Sequence, residues 1–398
     1  MCYNPNINMK IITDEKKIDE VLSRGVDKIY PSKEALREVL SSGKRLRLYQ
    51  GFDPTADKLH IGHMVGLLKH KQWQDMGHEV IFLIGDGTGE AGDPSGKKKT
   101  REKFFTSEEL RENAKNYLTQ ASKIIHFDGT NPIKLLYNGD WLNKLTKRDI
   151  LNIAQNFSVQ QLIERDMFQE RIKNGEEINM REFLYPLLQA YDSVAMDVDL
   201  ELGGSDQTFN MLAGRTLMKK MKSKEKFVMT MPLIADKSGN KIGKSEGNMI
   251  ALTDEPEKIF GAVMAFPDEV VIQCFECLTD VPMEEAKKEK NPMANKKRLA
   301  FEIVKELYDK SQAEKAQDNW SNTFQKKEIP DAEEVEGDGL LMPILLKNKF
   351  VASNSEARRL FEAGAIKDMT DDKKMSGTDF VTKSHVYKIG KHRFIKIK

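Results

Sequence analysis

Hydrophobic residues make up 39% and charged residues 31% of the 398-residue chain, a balance that suits a packed globular protein with room for two or three domains. The 63 Lys/Arg against 62 Asp/Glu leave a formal charge of +1, which excludes a polycation, so a nucleic-acid surface has to come from charge segregated along the chain. No apolar run reaches the length of a membrane span, and Met1 to Lys10 lacks the apolar core of a signal peptide, so a cytoplasmic location is expected.

Residues 13–43 carry apolar positions at helical spacing, interrupted at Pro31, with Ser32 placed to cap a second helix. Leu46, Leu48 and Gln50 then alternate with Arg45, Arg47 and Tyr49, the period-two pattern of a strand. The chain turns through Gly51, Asp53 and Pro54 and leaves as a helix whose apolar face includes Met64, Val65, Leu67, Leu68, Trp73 and Met76. A strand, a tight loop and a helix N-terminus make a phosphate site, because the first helical N–H groups lack internal partners and the dipole favours an anion there. His60 and His63 flank that terminus as donors, and Gly62 between them lets a flat purine approach the backbone.

Glu79 to Gly85 is a near-continuous apolar run, as expected of a buried parallel strand, and feeds a glycine-rich loop from Asp86 to Lys97. That loop is not a P-loop, since Ala91 and Lys98 stand where the motif needs Gly and Ser or Thr. From Arg101 to Lys147 helices dominate, with strands expected at 124–127 and 133–137, and residues 148–196 form a largely helical insertion. Within it Tyr185, Gln189 and Asp192 share one helix face, either a solvated stripe or polar groups that need partners when buried. Val198 to Leu202 alternates as a strand and ends at Gly203 and Gly204, a second strand–glycine–helix junction that fits the mirror half of a doubly wound sheet.

The last strand, Phe227 to Ile234, leads into a glycine-punctuated loop in which Lys241 and Lys244 offer two point charges to a polyphosphate. Residues 255–327 are helical and strongly charged, with a basic patch at Asn295 to Arg298. Cys274 and Cys277, three apart in a helix, lack a second pair to complete a metal site and read as structural. Residues 328–339 carry six acidic residues and no basic ones, the composition of a self-repelling connector. The tail from 341 to 398 reverses sign, with 13 Lys/Arg against 6 Asp/Glu, or 13 − 6 = +7, which suits a reader of an RNA backbone.

The His60-Ile-Gly-His63 run after a strand resembles the signature of class I aminoacyl-tRNA synthetases, and Tyr49 to Ala56 resembles the tyrosyl-tRNA synthetase branch of that family. The lysine loop is similar to the family's Lys-Met-Ser-Lys-Ser, with Ile242 and Gly243 in place of Met and Ser; Thr208-Phe209 stands where the family often has Trp-Gly. The resemblance implies activation of tyrosine by ATP, accompanied by Mg²⁺ without a dedicated protein site, and transfer to tRNA(Tyr) by a homodimer built on the helical insertion. It implies catalytic roles for His60, His63, Lys97, Arg101, Lys241, Lys244 and Ser245. It assigns the amino group to Asp93, Tyr185 and Gln189, the phenol to Tyr49 and Asp192, and the carboxylate to Gln207, with Gly51 and Asp53 also at the tyrosine. Thr55, Gly62, Gly204 and Asp206 join the histidines and loop lysines around ATP, Asp206 at the ribose.

The architecture so implied is α/β, a doubly wound Rossmann-like catalytic domain (1–235, insertion at about 148–196). A lysine loop and helical anticodon-binding domain (236–330), an acidic linker (331–340) and a small α+β domain (341–398) follow. The Ser355-Glu-Ala-Arg-Arg-Leu360 segment and the later Gly364-Ala resemble the S4 RNA-binding domain, which implicates Arg358, Arg359 and Lys367 in RNA contact. A tryptophan-specific synthetase shares the phosphate motifs, but indole has no hydroxyl to match Tyr49 and Asp192. A small-adenylate ligase would leave the helical region and tail without a purpose, and a non-catalytic S4-type factor would have no use for the histidines and lysines.

Overall fold

A computed structural model describes residues 10–95, 104–235, 249–324, 332–371, 373–390 and 393–398. The expected positions Lys97, Arg101, Lys241, Lys244 and Ser245 lie outside them. The chain divides into two compact units, residues 1–313 and 314–398.

The first unit is built on a six-stranded sheet: β1 (Lys28–Tyr30), β2 (Arg47–Phe52), β3 (Glu79–Ile84), β4 (Lys134–Tyr137), β5 (Leu200–Gly204) and β6 (Phe227–Met231). Their order in space is β1-β6-β5-β2-β3-β4, parallel throughout except for β1, which pairs antiparallel with β6. The order reverses between β2 and β5. Chains leaving the carboxyl ends of those strands diverge and leave a crevice, where open α/β sheets hold their ligands.

β1 was not expected: residues 13–43 read as helix alone, whereas the helices are Glu15–Val21 and Lys33–Ser41 with β1 between them. Three residues are too few to show a period. Ser32 does cap the second helix, accepting the Ala35 N–H at 3.1 Å. In β2 the expected alternation fails because the strand is central and covered on both faces, so Leu48 and Tyr49 are both buried. The glycine loop after β3 is instead a short helix, Asp86–Ala91. Residues 124–127 are turn rather than strand; Ile124 and Ile125 are buried without pairing to a strand. The insertion consists of helices Lys147–Ala154, Val159–Ile163, Asp166–Lys173 and Met180–Met196.

Helices follow β6 from Pro256–Met264 to Pro292–Leu307. Cys274 and Cys277 lie buried and unbridged on Val271–Leu278, where burial raises both thiols. The basic patch is largely neutralised: Asn295 is buried, Lys296 meets Asp268 at 2.5 Å and Arg298 meets Glu285 at 2.6 Å. Among the described residues no helix is long and apolar enough to cross a membrane.

The second unit holds a five-stranded sheet of β7 (Glu333–Val335), β8 (Ile366–Asp368), β9 (Lys373–Lys374), β10 (Val386–Ile389) and β11 (Arg393–Ile397), ordered β7-β11-β10-β8-β9. With the helices Leu341–Lys347 and Asn354–Glu362 it encloses a core that includes Leu341, Leu345, Ile366, Tyr387 and Ile395. The acidic stretch expected to be a connector contributes β7, parallel to β11. Its charges find partners there, Glu334 meeting Lys398 at 2.6 Å and Lys396 at 3.6 Å.

Candidate active site

The helix Ile61–Asp75 begins at the carboxyl end of β2. His60 is its N-cap, and its Nδ1 accepts the Gly62 N–H at 3.1 Å; His63 reaches back, its Nδ1 accepting the His60 N–H at 3.1 Å. Two histidines thus form the reciprocal box that Ser and Glu usually supply. Because each Nδ1 is an acceptor, each neutral ring carries its proton on Nε2, so the cap sets the tautomer and with it the donor atom. The rings lie 3.9 Å apart between centroids. Gly62 has a reason nearer than a ligand, since a Cβ there would sit 2.9 Å from the His60 ring.

The segment that follows residues 236–248 returns to this point. Ile61 N–H donates to Ile250 O at 2.9 Å and Leu252 N–H to Leu59 O at 3.0 Å, with His60 bridged to Ala251. The chain leaving the lysine loop is therefore hydrogen-bonded to the histidine-bearing helix start, although nearly half the sequence separates them.

Beside this terminus, side chains from β2, β4, β5 and the helix Met180–Met196 converge. Asp53 accepts the Thr88 hydroxyl at 2.7 Å and the Tyr185 hydroxyl at 2.9 Å. Asp93 accepts the Gln207 amide at 2.8 Å and the Ser95 N–H at 2.9 Å, and Gln207 is steadied in turn by Asn210 at 2.7 Å. Gln189 donates to Glu201 at 3.0 Å. Asp192, 2% exposed, accepts Trp141 Nε1 on one oxygen at 2.8 Å and Asn138 Nδ2 on the other at 3.0 Å. Tyr49 is buried beneath, its hydroxyl 3.0 Å from Ser193.

The face shared by Tyr185, Gln189 and Asp192 is therefore turned inward, and the solvated-stripe reading of it does not hold. Burial raises Asp192, opposed by its two N–H donors, and raises Tyr49, aided by Glu201 and Asp192. Tyr185 rises through burial and then the negative charge of Asp53 and Asp93. Four carboxylates, Asp53, Asp93, Asp192 and Glu201, gather here with Arg165 and Lys226, a negative enclosure that suits an ammonium group.

At the end of β5, Ser205–Gln207 form a single 3₁₀ turn, and a Cβ on Gly204 would lie 2.7 Å from Asp206 Oδ1. Gly51 stays exposed on β2, and Thr55 turns back so that its N–H donates to Asp53 O at 2.8 Å. Arg358 and Arg359 are exposed on the helix Asn354–Glu362 of the second unit, and Lys367 is half-buried on β8.

Several members of the site escaped the sequence reading. Asn138 and Trp141 sit just past β4, and the rule that ligands gather at strand carboxyl ends was the signal for them. Arg165 donates to Ser95 at 3.1 Å and lies 4.9 Å over the Phe209 ring. Ser193, Glu201 and Lys226 form a buried group for which no local pattern exists.

Residues 41–325 match the family described as tRNA synthetases class I (W and Y). The chain is 39% identical to a tyrosine–tRNA ligase of Carboxydothermus hydrogenoformans over 97% of this chain and 98% of that one. It is also 39% identical to the enzyme of the same name from Thermotoga maritima, again over 97% and 98%. Among solved structures, a C-terminally truncated mitochondrial tyrosyl-tRNA synthetase of Aspergillus nidulans aligns over 78% of this chain and 95% of that one, with TM-score 0.65 and 23% identity. An Archaeoglobus fulgidus tyrosyl-tRNA synthetase complexed with L-tyrosine aligns over 76% and 99%, with TM-score 0.59 and 18% identity, a likeness of fold alone. With the strand–histidine–helix junction and the crevice between β2 and β5 in place, the chain belongs to the class I tRNA synthetases of the tryptophan and tyrosine group.

Proposed function

We infer that the chain is a tyrosine–tRNA ligase that joins tyrosine to ATP and passes the tyrosyl group to tRNA(Tyr). The observation that carries the choice of amino acid is Asp192, a buried carboxylate held on both oxygens by N–H donors at the end of a negative enclosure. A carboxylate so fixed is an acceptor for a phenol O–H, beside the Tyr49 hydroxyl. Phenylalanine would leave the carboxylate without its partner, and indole would bring no hydroxyl. At the other end Asp93, Tyr185 and Gln189 take the ammonium, and Gln207 the carboxylate.

The tyrosine carboxylate attacks the α-phosphate of ATP, a P–O bond forms as that to pyrophosphate breaks, and tyrosyl-adenylate results. A terminal ribose hydroxyl of the tRNA then attacks the carbonyl of that anhydride, and AMP leaves. No covalent enzyme intermediate is needed, so acceleration comes from positioning and from donors aimed at the developing phosphate charge. His60 and His63 supply Nε2–H groups at a helix N-terminus, joined by Thr55, Gly62, Gly204 and Asp206 around the nucleotide. Lys97 and Arg101 take the pyrophosphate side together with Lys241, Lys244 and Ser245, and for the last three that role is supported by the hydrogen bonds of the chain just past residue 248 to the His60 helix start. Mg²⁺ enters with ATP.

Residues 341–398 act as the RNA contact. Arg358 and Arg359 are exposed, and the strand registers align Lys374, Lys367, Lys388 and Phe394 across β9, β8, β10 and β11, a basic row ending on an aromatic ring. A homodimer is supported by Ile150, Leu151, Val159, Ile172 and Met180, large apolar side chains all exposed on the insertion. Amino-acid-dependent ATP–pyrophosphate exchange tests the reading: with tyrosine, phenylalanine and tryptophan supplied singly, only tyrosine is expected to drive it efficiently. Better exchange with either of the others would overturn the assignment.

A further inference from the structure

Beneath Gln189 lies an ion pair that the reaction described above does not use. Lys226, fully buried just before β6, donates to Glu201 on β5, which is 1% exposed, and to Ser193 at 2.9 Å. Space for this group is kept open by Gly214, where a Cβ would stand 2.5 Å from Lys226 Nζ and 2.9 Å from Ser193 Oγ. Replacing a buried ion pair by apolar residues of the same volume is often neutral for stability, so stability alone does not explain it.

Gln189 gives the pair a purpose. An amide has a donor end and an acceptor end, and only its surroundings decide which way each points. An ionised carboxylate accepts and cannot donate, so Glu201 draws Gln189 Nε2 at 3.0 Å and turns the carbonyl away from itself. That carbonyl Oε1 is buried and has no hydrogen-bond partner among the described residues. A buried acceptor in a negative enclosure suits a cationic donor.

We propose that Lys226 and Glu201 are positioning residues that orient the Gln189 carboxamide, so that its carbonyl receives the substrate's ammonium group. Lys226 donates to the other carboxylate oxygen, Glu201 Oε2, and so fixes Oε1 where it accepts the Gln189 amide. A neutral group at 201 can donate as well as accept, which lets the amide turn its N–H groups toward the ammonium. Through Ser193 the same lysine reaches the Tyr49 hydroxyl, 3.0 Å further on. The inference rests on the reading of this crevice as the tyrosine site.

The test compares tyrosine with its desamino analogue, 3-(4-hydroxyphenyl)propionate, which keeps the phenol and carboxylate and lacks the ammonium. Both are titrated into wild-type protein and into the near-isosteric Lys226→Met/Glu201→Gln double variant, with melting temperatures recorded alongside. The double variant is expected to bind tyrosine about tenfold or more weakly, the scale of a lost charge-assisted hydrogen bond, with the analogue's affinity unchanged within about twofold. Equal losses for both ligands would show general loosening of the pocket and overturn the inference, as would no loss for either. Should the double variant fail to fold, Gly214→Ala, which pushes on Lys226 while removing no polar group, is held to the same ratio. Wild-type exchange that does not prefer tyrosine would instead overturn the assigned substrate, a separate failure.

Discussion

The two ends of the crevice are assembled over very different lengths of chain. At the proposed phosphate end, β2, a turn, His60, Gly62 and His63 lie within 17 consecutive residues, and the two imidazoles cap the helix that they serve. At the amino-acid end, Tyr49, Asn138, Trp141, Gln189, Asp192, Glu201 and Lys226 come from five separate segments and meet only because the sheet brings them together. The first end can be read from a short motif, and its chemistry depends on a backbone feature any helix has. The second is a set of buried polar groups, each of which requires the others as partners. Substitutions should therefore act differently at the two ends, on turnover at the first and on substrate selection at the second.

The largest effect should come from the histidines. On the proposed role, His63→Ala or His60→Ala removes a donor to the phosphates and is expected to lower kcat for pyrophosphate exchange by about 10²–10³-fold, with the tyrosine KM little changed. A rise in tyrosine KM at constant kcat would dissolve the division between the two ends.

Next comes a difference in acid sensitivity. Burial holds His70, near Phe52 and Phe82, down at about 3, and His78 at about 4, whereas an unfolded histidine titrates near 6.5. Between those values the unfolded chain binds more protons, so the stability of the first unit is fully present above about pH 6.5 and falls as pH drops towards 3. At pH 5 the His70 share is roughly 2 kcal/mol, and His70→Phe should flatten that part of the acid limb in denaturant titrations from pH 7 to 5.

The exposed apolar side chains of the insertion are expected to behave as an interface. Leu151→Asp with Val159→Asp should weaken self-association more than tenfold in sedimentation equilibrium; a wild-type monomer at all concentrations would remove the dimer from the picture. A smaller effect is expected at Thr146, whose hydroxyl accepts the Asp149 N–H at 3.3 Å at the start of the insertion. Thr146→Ala should lower stability by about 1 kcal/mol, seen as a shift in denaturant midpoint, and leave exchange untouched. Smallest of all is Arg298→Ala at an exposed pair with Glu285, expected to change stability by less than about 0.5 kcal/mol.

What was legible in the sequence follows the same division. The apolar run of β3, the helix after His60 and the strand–glycine junction at Gly204 announce themselves because their signals are local periods and turn residues. β1 was hidden by its three-residue length, and the alternation read into β2 broke down because both faces of a central strand are covered. The acidic stretch around Glu334 reads as a self-repelling connector because its partners, Lys396 and Lys398, lie about 60 residues further on and only the fold sets them opposite it. Lys226 gave no signal at all: a buried lysine in a charged run looks like any surface lysine until Glu201 is seen beside it.

The most direct test of tyrosine selection is the ratio of kcat/KM for tyrosine to that for phenylalanine in pyrophosphate exchange, measured for wild type and for Asp192→Asn. Asn138 and Trp141 donate to different oxygens of Asp192, so an amide at 192 turns an NH2 group toward one of the two donors, and it offers a phenol no fixed carboxylate. The ratio is expected to fall by at least about tenfold while the KM for ATP stays the same. An unchanged ratio would mean that the phenol is recognised elsewhere and that Asp192 only braces Asn138 and Trp141.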